Sequence, residues 1–320
     1  MDMDRVYTEL KKFGKVKANE LLAKHTTFKV GGSARFVVIV NETKKLVDLL
    51  NFLSDEGIDW FVVGGGSNLL FSDEGFEGVV VKVSAQGGPA YGGQSEVIEC
   101  EAGVLLCNAM MLTMKEGLQG LEWAAGIPGT IGGAVRGNAG AMGEDVSMGI
   151  EKVEVWRDGE VILLSKDECE FAYRDSIFKH NQDVVLRAWF KLSKGDRQEI
   201  VAKVNQNLAS RNGKFPSYPS AGCFFKNVII KDQRSKIKDH ESLPEKFKQY
   251  GKIPAGWFIE QTGLKKKRIG DAQVGPEHCN FIVNLGTAKA RDILALVDEV
   301  KEAVYNKFGV GLEEEVQIIQ

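Results

Sequence analysis

Two glycine-rich passages carry the chemistry most legible in this chain. The first, V-V-G-G-G-S-N-L-L-F-S-D at residues 62–73, follows an apolar strand-like run. Three successive glycines let backbone N–H groups approach an anion and form a nest, as a phosphate requires. It is not the dinucleotide fingerprint G-x-G-x-x-G, whose third glycine would fall at Leu69, and no G-K-[ST] follows as in a P-loop. The second, A-G-I-P-G-T-I-G-G-A-V-R-G-N-A-G-A-M-G-E-D, runs over 125–145. Tight turns and bulges are the plain alternative for each passage taken alone. Two such passages fit a long flat cofactor with a pyrophosphate better, held through the backbone.

Three polar groupings accompany them. Y-P-S-A-G-C-F-F-K-N, 218–227, sets Cys223 between a small-residue turn and two phenylalanines; a cysteine in such company is usually a small buried hydrophobe. F-A-Y-R-D-S-I-F-K-H, 171–180, places Arg174 and Asp175 among aromatics. A guanidinium partly desolvated there needs an anionic partner, and a structural Arg174–Asp175 pair would meet that need. In G-L-E-E-E-V-Q-I-I-Q, a strand would put Glu313 and Glu315 on one face and Glu314 on the other. Such a terminus is ordinarily a solvated face.

Composition narrows the classes. The chain has 320 residues, 43% hydrophobic and 27% charged, which is ordinary globular usage with room for two or three compact units. Its 36 glycines exceed the roughly 22 that average usage of about 7% implies, and the excess lies in the two passages. A net charge of −3 supplies no basic field for nucleic acid or anionic lipid, and the cluster Lys265, Lys266, Lys267 and Arg268 reads as a solvated loop. The start, M-D-M-D-R-V-Y-T-E-L-K-K, is polar, and no apolar run approaches the roughly 18 residues of a span. A cytoplasmic protein is expected. Five cysteines without C-x-x-C and four scattered histidines suggest reduced thiols, with neither a disulfide framework nor a metal site.

The elements that must position these residues alternate. Residues 35–40 read as a strand, Leu46, Leu49, Leu50 and Leu53 line one helix face, and 60–63 form the next strand. Strands are expected at 79–83, 97–101, 152–157, 160–164 and 184–192, with a helix over 104–116 stopped by Gly117. A main boundary is expected near 196. Beyond it come a helix with Ile200, Val204 and Leu208 on one face, and a long helix burying Ile293, Val297, Val300 and Val304 and closed by Gly309. A last strand is expected at 316–319.

Taken in order, T-T-F-K-V-G-G, G-G-G-S-N-L-L, A-G-I-P-G-T-I-G-G-A-V-R-G-N-A-G, Y-R-D-S-I-F-K-H, P-S-A-G-C-F-F-K-N and L-E-E-E-V-Q-I-I resemble the UDP-N-acetylenolpyruvoylglucosamine reductase family, from about residue 26 to the end. The length and the short stretch after 180 resemble its type II branch. The resemblance implies an α+β protein: a noncovalent FAD-binding domain of the vanillyl-alcohol-oxidase (PCMH) type over 1–196, in α/β subdomains of about 20–82 and 83–196, and an α+β substrate-binding domain over 197–320. The last strand would pack back on the FAD domain.

In that family NADPH reduces FAD and leaves, and the enolpyruvyl ether of UDP-N-acetylglucosamine then receives hydride at its terminal carbon. No nucleic acid, membrane or metal is implied. Motif by motif, the cofactor residues would be Gly64, Gly65, Gly66, Ser67, Asn68, Leu69, Pro128, Gly129, Gly132, Gly133, Asn138 and Gly140. Substrate residues would be Tyr173, Arg211, Lys214, Asn227 and Gln261. Arg174 and Glu315 fall where the family stabilises the enolate-like intermediate, and Glu314 stands where proline is usual. The family's proton donor is usually serine; here Cys223 holds that place, with Ser220 as the alternative. A thiol of pKa about 8.5 is mostly protonated at neutral pH unless cations depress it, so it can serve as the acid. Two rival readings remain: a noncovalent flavin oxidase of the same fold, and a regulator that binds FAD and UDP-sugar without turnover.

Overall fold

The computed structural model describes residues 3–84, 87–93, 95–231, 237–238 and 243–320; Met1 and Asp2, the head of the polar amino-terminal stretch, lie outside them. The chain forms two compact units, each from three segments: Met1–Glu20, Ala34–Gly65 and Glu77–Asn212 in the first, Leu21–Ser33, Gly66–Phe76 and Gly213–Gln320 in the second. The long segments of the two units meet at 212; the boundary read from the sequence lies near 196. Helix Arg197–Arg211 stays with the first unit because Val204 is buried in that unit's core and Asn207 Nδ2 donates to Glu122 O at 2.9 Å.

In the first unit, one sheet runs in the order Lys15–Leu21, Ser33–Val40, Phe76–Val83, Trp60–Val63. The last two strands are parallel, with Val63 opposite Lys82. Helix Thr43–Asp55 buries Leu46, Leu49, Leu50 and Leu53, the face its 3.6-residue spacing requires. A five-stranded sheet has the order Glu160–Ser165, Ile150–Arg157, Val184–Lys191, Val97–Glu101, Ala90–Tyr91. Trp156 from this sheet meets Trp60 edge-on, ring centroids 5.8 Å apart, so the two sheets share apolar packing. Helix Leu106–Glu116 ends at left-handed Gly117, φ +67°, as the sequence predicts. Leu208 departs from its expected face. It is 39% exposed, and Asn207 takes the buried position because its amide satisfies the Glu122 carbonyl.

The second unit has a sheet in the order Ser220–Cys223, Phe281–Asn284, Ala272–Val274, Arg268–Ile269. Its core gathers Phe224, Phe225 and Phe258 with Ile293, Val297, Val300 and Val304 of helix Ala290–Phe308, which closes at left-handed Gly309. Each such side chain contributes about 1.5–3 kcal/mol by leaving water. The final strand, Gln317–Ile319, pairs in parallel with Leu69–Phe71. The first glycine passage thus runs from one unit into the other, its downstream part tied to the carboxyl terminus. Asp73 adds a remote cap: its carboxylate accepts Ala290 N–H at 2.9 Å and Arg291 N–H at 3.0 Å at the start of the long helix.

Three of the four residues in the basic cluster are paired with acids, Lys265 with Glu260 at 3.2 Å, Lys267 with Glu299 at 2.7 Å and Arg268 with Asp271 at 2.9 Å. All four are exposed.

Candidate active site

The glycine cradle of the first unit is built by contact. A Cβ on Gly64 would lie 2.2 Å from Thr130 Oγ1, and one on Gly65 would lie 2.9 Å from Gly129 Cα. The two passages therefore approach each other backbone to backbone, which only glycine permits. Thr130 Oγ1 is buried and has no hydrogen-bond partner among the described residues. An orphaned hydroxyl of this kind costs about 1–3 kcal/mol unless a ligand accepts its proton. The two passages are thus packed backbone to backbone beside an unpartnered donor. Thr130, between Gly129 and Ile131, carries no motif signature of its own, so the sequence alone does not single it out.

The other members of the second passage differ in their duties. Gly132 packs on Ala102, where a Cβ would meet Ala102 Cβ at 2.9 Å, and a Cβ on Gly140 would lie 2.3 Å from Glu144 O. Gly133 and Pro128 are exposed. Asn138 spends its amide on the protein, donating to Ala172 O at 2.8 Å and accepting Ser147 N–H at 3.0 Å. Asn138 thereby braces the passage against the segment that carries Arg174.

Arg174 sits at the tip of a tight turn closed by reciprocal Ala172–Asp175 backbone hydrogen bonds of 3.0 and 3.1 Å. Its φ is +57°, a left-handed conformation that costs a non-glycine residue about 1–3 kcal/mol. The turn is held in place: Arg174 Nη2 donates to Gly140 O at 2.7 Å, and Lys179 Nζ to Arg174 O at 2.6 Å. The Arg174 guanidinium also lies 5.5 Å from the Tyr173 ring centroid. Asp175 does not form the expected pair with Arg174. Its carboxylate takes His180 Nε2 at 2.9 Å and Ser176 N–H at 3.0 Å. Burial raises its pKa, but these hydrogen bonds together with the charges of His180 and Lys179 leave it below the ordinary range. Arg211 lies half-buried in the same unit, its Cδ 3.0 Å from where a Gly126 Cβ would stand.

In the second unit Cys223 is half-buried and pairs across the sheet with Phe281. Phe224 accepts Glu315 N–H at 2.8 Å, so the two candidates Cys223 and Glu315 are joined through one residue. Asn280 locks this arrangement, its amide bonded at 2.8 and 3.0 Å to the backbone of Phe225. Residues 313–315 do not form the expected strand; Glu314 makes an isolated bridge to Phe225. Salt bridges decide the side chains here, Glu313 to Lys226 at 2.5 Å and Glu314 to Lys301 at 2.6 Å. Glu313 stays exposed and Glu314 is half-buried.

The downstream part of the first passage belongs to the same unit. Gly66, φ +69°, would place a Cβ 2.0 Å from His25 O. Asn68 Nδ2 donates to Glu315 O at 3.0 Å, and Leu69 pairs with Gln317; Ser67 is half-buried between them. Thr27, from T-T-F-K-V-G-G, donates its hydroxyl to Ser220 O at 2.7 Å. Ser220 Oγ accepts Gly222 N–H at 3.4 Å. Asn227 Oδ1 accepts Ala255 N–H at 3.2 Å. Lys214 and Gln261 are exposed.

No disulfide joins the five cysteines. Burial, with a neighbouring glutamate in each case, pushes Cys100 and Cys169 up to about 12 and raises Cys279. Cys107 and Cys223 are half-buried. Iodoacetamide at pH 8, followed by peptide mass spectrometry, is therefore expected to label Cys107 and Cys223 in the folded protein and the other three only after denaturation. Labelling of Cys100 at the rate of Cys223 would contradict this order. Among the described residues, no group of three or more His, Cys, Asp or Glu is placed to hold a metal ion, and no helix is long and apolar enough to cross a membrane.

The two glycine passages thus meet backbone to backbone in the first unit, and the second carries Cys223 on its sheet with Glu315 bonded to the next residue, Phe224. Residues 34–165 match the family model of an FAD binding domain, and residues 215–319 match that of the UDP-N-acetylenolpyruvoylglucosamine reductase C-terminal domain. The chain is similar to the UDP-N-acetylenolpyruvoylglucosamine reductase of Bacillus subtilis, 38% identical over 322 residues and 99% of each chain. It is also similar to that of Halalkalibacterium halodurans, 38% identical over 308 residues, 96% of this chain and 95% of the relative. A crystal structure of the reductase from Thermus caldophilus superposes with a TM-score of 0.77 at 33% identity, covering 96% of this chain and 99% of that one. The chain belongs to the UDP-N-acetylenolpyruvoylglucosamine reductase family, with the α+β architecture of FAD-binding and carboxyl-terminal domains that the motifs implied.

Proposed function

We propose that this protein is a UDP-N-acetylmuramate dehydrogenase, using NADPH and noncovalent FAD to reduce UDP-N-acetylglucosamine enolpyruvate to UDP-N-acetylmuramate for peptidoglycan precursor synthesis. The observation that carries the proposal is the glycine cradle with its orphaned Thr130 hydroxyl, in a chain whose full length follows the reductase family. FAD, when bound, supplies two-electron hydride chemistry. The first unit holds it through Gly64, Gly65, Gly129 and Thr130.

The chain's own residues supply the rest. Hydride added to the terminal enolpyruvyl carbon leaves negative charge toward the substrate carboxylate. Arg174, held out on its left-handed turn, stabilises that charge, and Glu315 assists only with its carboxyl protonated, since a carboxylate would repel it. The Cys223 thiol gives a proton to the adjacent carbon. One hydride and one proton then saturate the double bond. Tyr173, Arg211, Lys214, Asn227 and Gln261 bind the sugar nucleotide, the lysine and arginine suiting its pyrophosphate. A soluble nucleotide sugar and NADPH place the reaction in the cytoplasm, with no need of metal, membrane or nucleic acid.

The purified protein is expected to be yellow, to release intact FAD on denaturation, and to oxidise NADPH much faster with the enolpyruvyl sugar than without it. NADPH oxidation that depends on oxygen and ignores the sugar would make it an oxidase. FAD binding with no NADPH turnover at all would make it a regulator.

A further inference from the structure

Strand Phe76–Val83 buries Val79, Val80 and Val81 completely and then presents Lys82, half-buried. This strand lies inside its sheet, between Ser33–Val40 and Trp60–Val63. Register sets Lys82 beside Val63, the residue immediately before the glycine cradle. From there the Lys82 ammonium donates a hydrogen bond to Gly64 O.

We infer that Lys82 is a positioning residue for the cofactor pyrophosphate. A trans peptide is planar, with its C=O and N–H pointing in opposite directions. Tethering Gly64 O to Lys82 therefore turns Gly65 N–H away from the lysine. The same two glycines lie against Thr130 Oγ1 and Gly129 Cα, so Lys82 fixes the peptide that forms the floor of the cradle while Thr130 stands at its wall. A glycine peptide without this tether would sample many φ/ψ states, and ordering it would be charged against binding. This inference rests on the assignment of FAD to the cradle.

The test compares wild type with Lys82→Met, which keeps the stem and loses the charge, and with Lys82→Arg. Flavin-free protein is titrated with FAD and with riboflavin, which lacks the pyrophosphate, following flavin fluorescence at low and high salt; melting of the flavin-free proteins is recorded alongside. Loss of a charge-assisted hydrogen bond is expected to weaken FAD by about 10- to 100-fold in Lys82→Met. Riboflavin affinity and the melting temperature should stay close to wild type, and Lys82→Arg should retain most of the FAD affinity. Wild-type FAD affinity should fall with salt more steeply than riboflavin affinity.

Unchanged FAD affinity in Lys82→Met would overturn the inference, and so would equal losses for FAD and riboflavin. If Lys82→Met does not fold, the same comparison of FAD with riboflavin in Lys82→Gln decides the inference, and equal or absent losses there would overturn it. Wild-type protein that takes up no FAD would sink the flavoprotein assignment and this inference together, an outcome distinct from either of the others.

Discussion

Replacing Cys223 with alanine is expected to leave reduction of the flavin by NADPH near its normal rate, and to slow reoxidation by the enolpyruvyl sugar by about 100- to 10,000-fold, the usual worth of a positioned general acid. Only the second half-reaction delivers a proton to substrate carbon. Cys223→Ser should keep substantial turnover, because a hydroxyl at the same place donates as a thiol does. The fold should survive both changes: Cys223 is half-buried, and the backbone around it is held by Asn280 and by Phe224 O. Mild peroxide should inactivate the wild type, since sulfenic acid lacks the thiol proton and enlarges the side chain, and should spare the serine variant. Rapid-mixing absorbance resolves the two half-reactions. Wild-type reoxidation in Cys223→Ala, with normal product, would make Cys223 a packing residue and move the donor to Ser220 or a bound water.

The second large effect is expected at Gly64. An alanine there sets its Cβ 2.2 Å from Thr130 Oγ1, a contact that cannot stand, and the obstruction lies in the wall of the cradle. Gly64→Ala is expected to weaken FAD by at least about 100-fold, roughly 3 kcal/mol. Thr130→Ala placed in that background should restore part of the loss. It removes the clashing oxygen and leaves the next approach, to Thr130 Cβ, at 3.4 Å. The double-mutant cycle should then be strongly non-additive. Measured FAD affinities for the four proteins decide it; a Gly64→Ala protein that binds FAD like wild type would mean that the cofactor does not use this cradle.

Local physics made much of the architecture legible. The helix with Leu46, Leu49, Leu50 and Leu53 and the one with Ile293, Val297, Val300 and Val304 bury those faces, because an apolar stripe at the helical period has nowhere else to go. Gly117 and Gly309 end their helices in the left-handed conformation. Where these signals misled, a tertiary partner was the cause. Leu208 fits the apolar stripe, yet Asn207 is buried in its place because the Glu122 carbonyl needs a donor. Glu314 fits a solvated terminus by its type, yet Lys301 claims it.

From the sequence alone came the glycine passages, the order of the motifs, the thiol in the serine's place and the absence of a long apolar run; each is a matter of residue type and spacing along one chain. Tertiary structure decided which of those residues cooperate. It assigned residues 21–33 and 66–76 to the unit of the carboxyl terminus, through the parallel pairing of Leu69–Phe71 with Gln317–Ile319. It also linked Glu315 to Cys223 through Phe224, put the Thr130 hydroxyl over Gly64, and gave Asp175 to His180 instead of Arg174. The reason is physical: periodicity and turn chemistry act over a few residues, whereas strand pairing and the satisfaction of buried polar groups join residues such as Asn68 and Glu315, 247 apart, whose separation leaves no periodic trace.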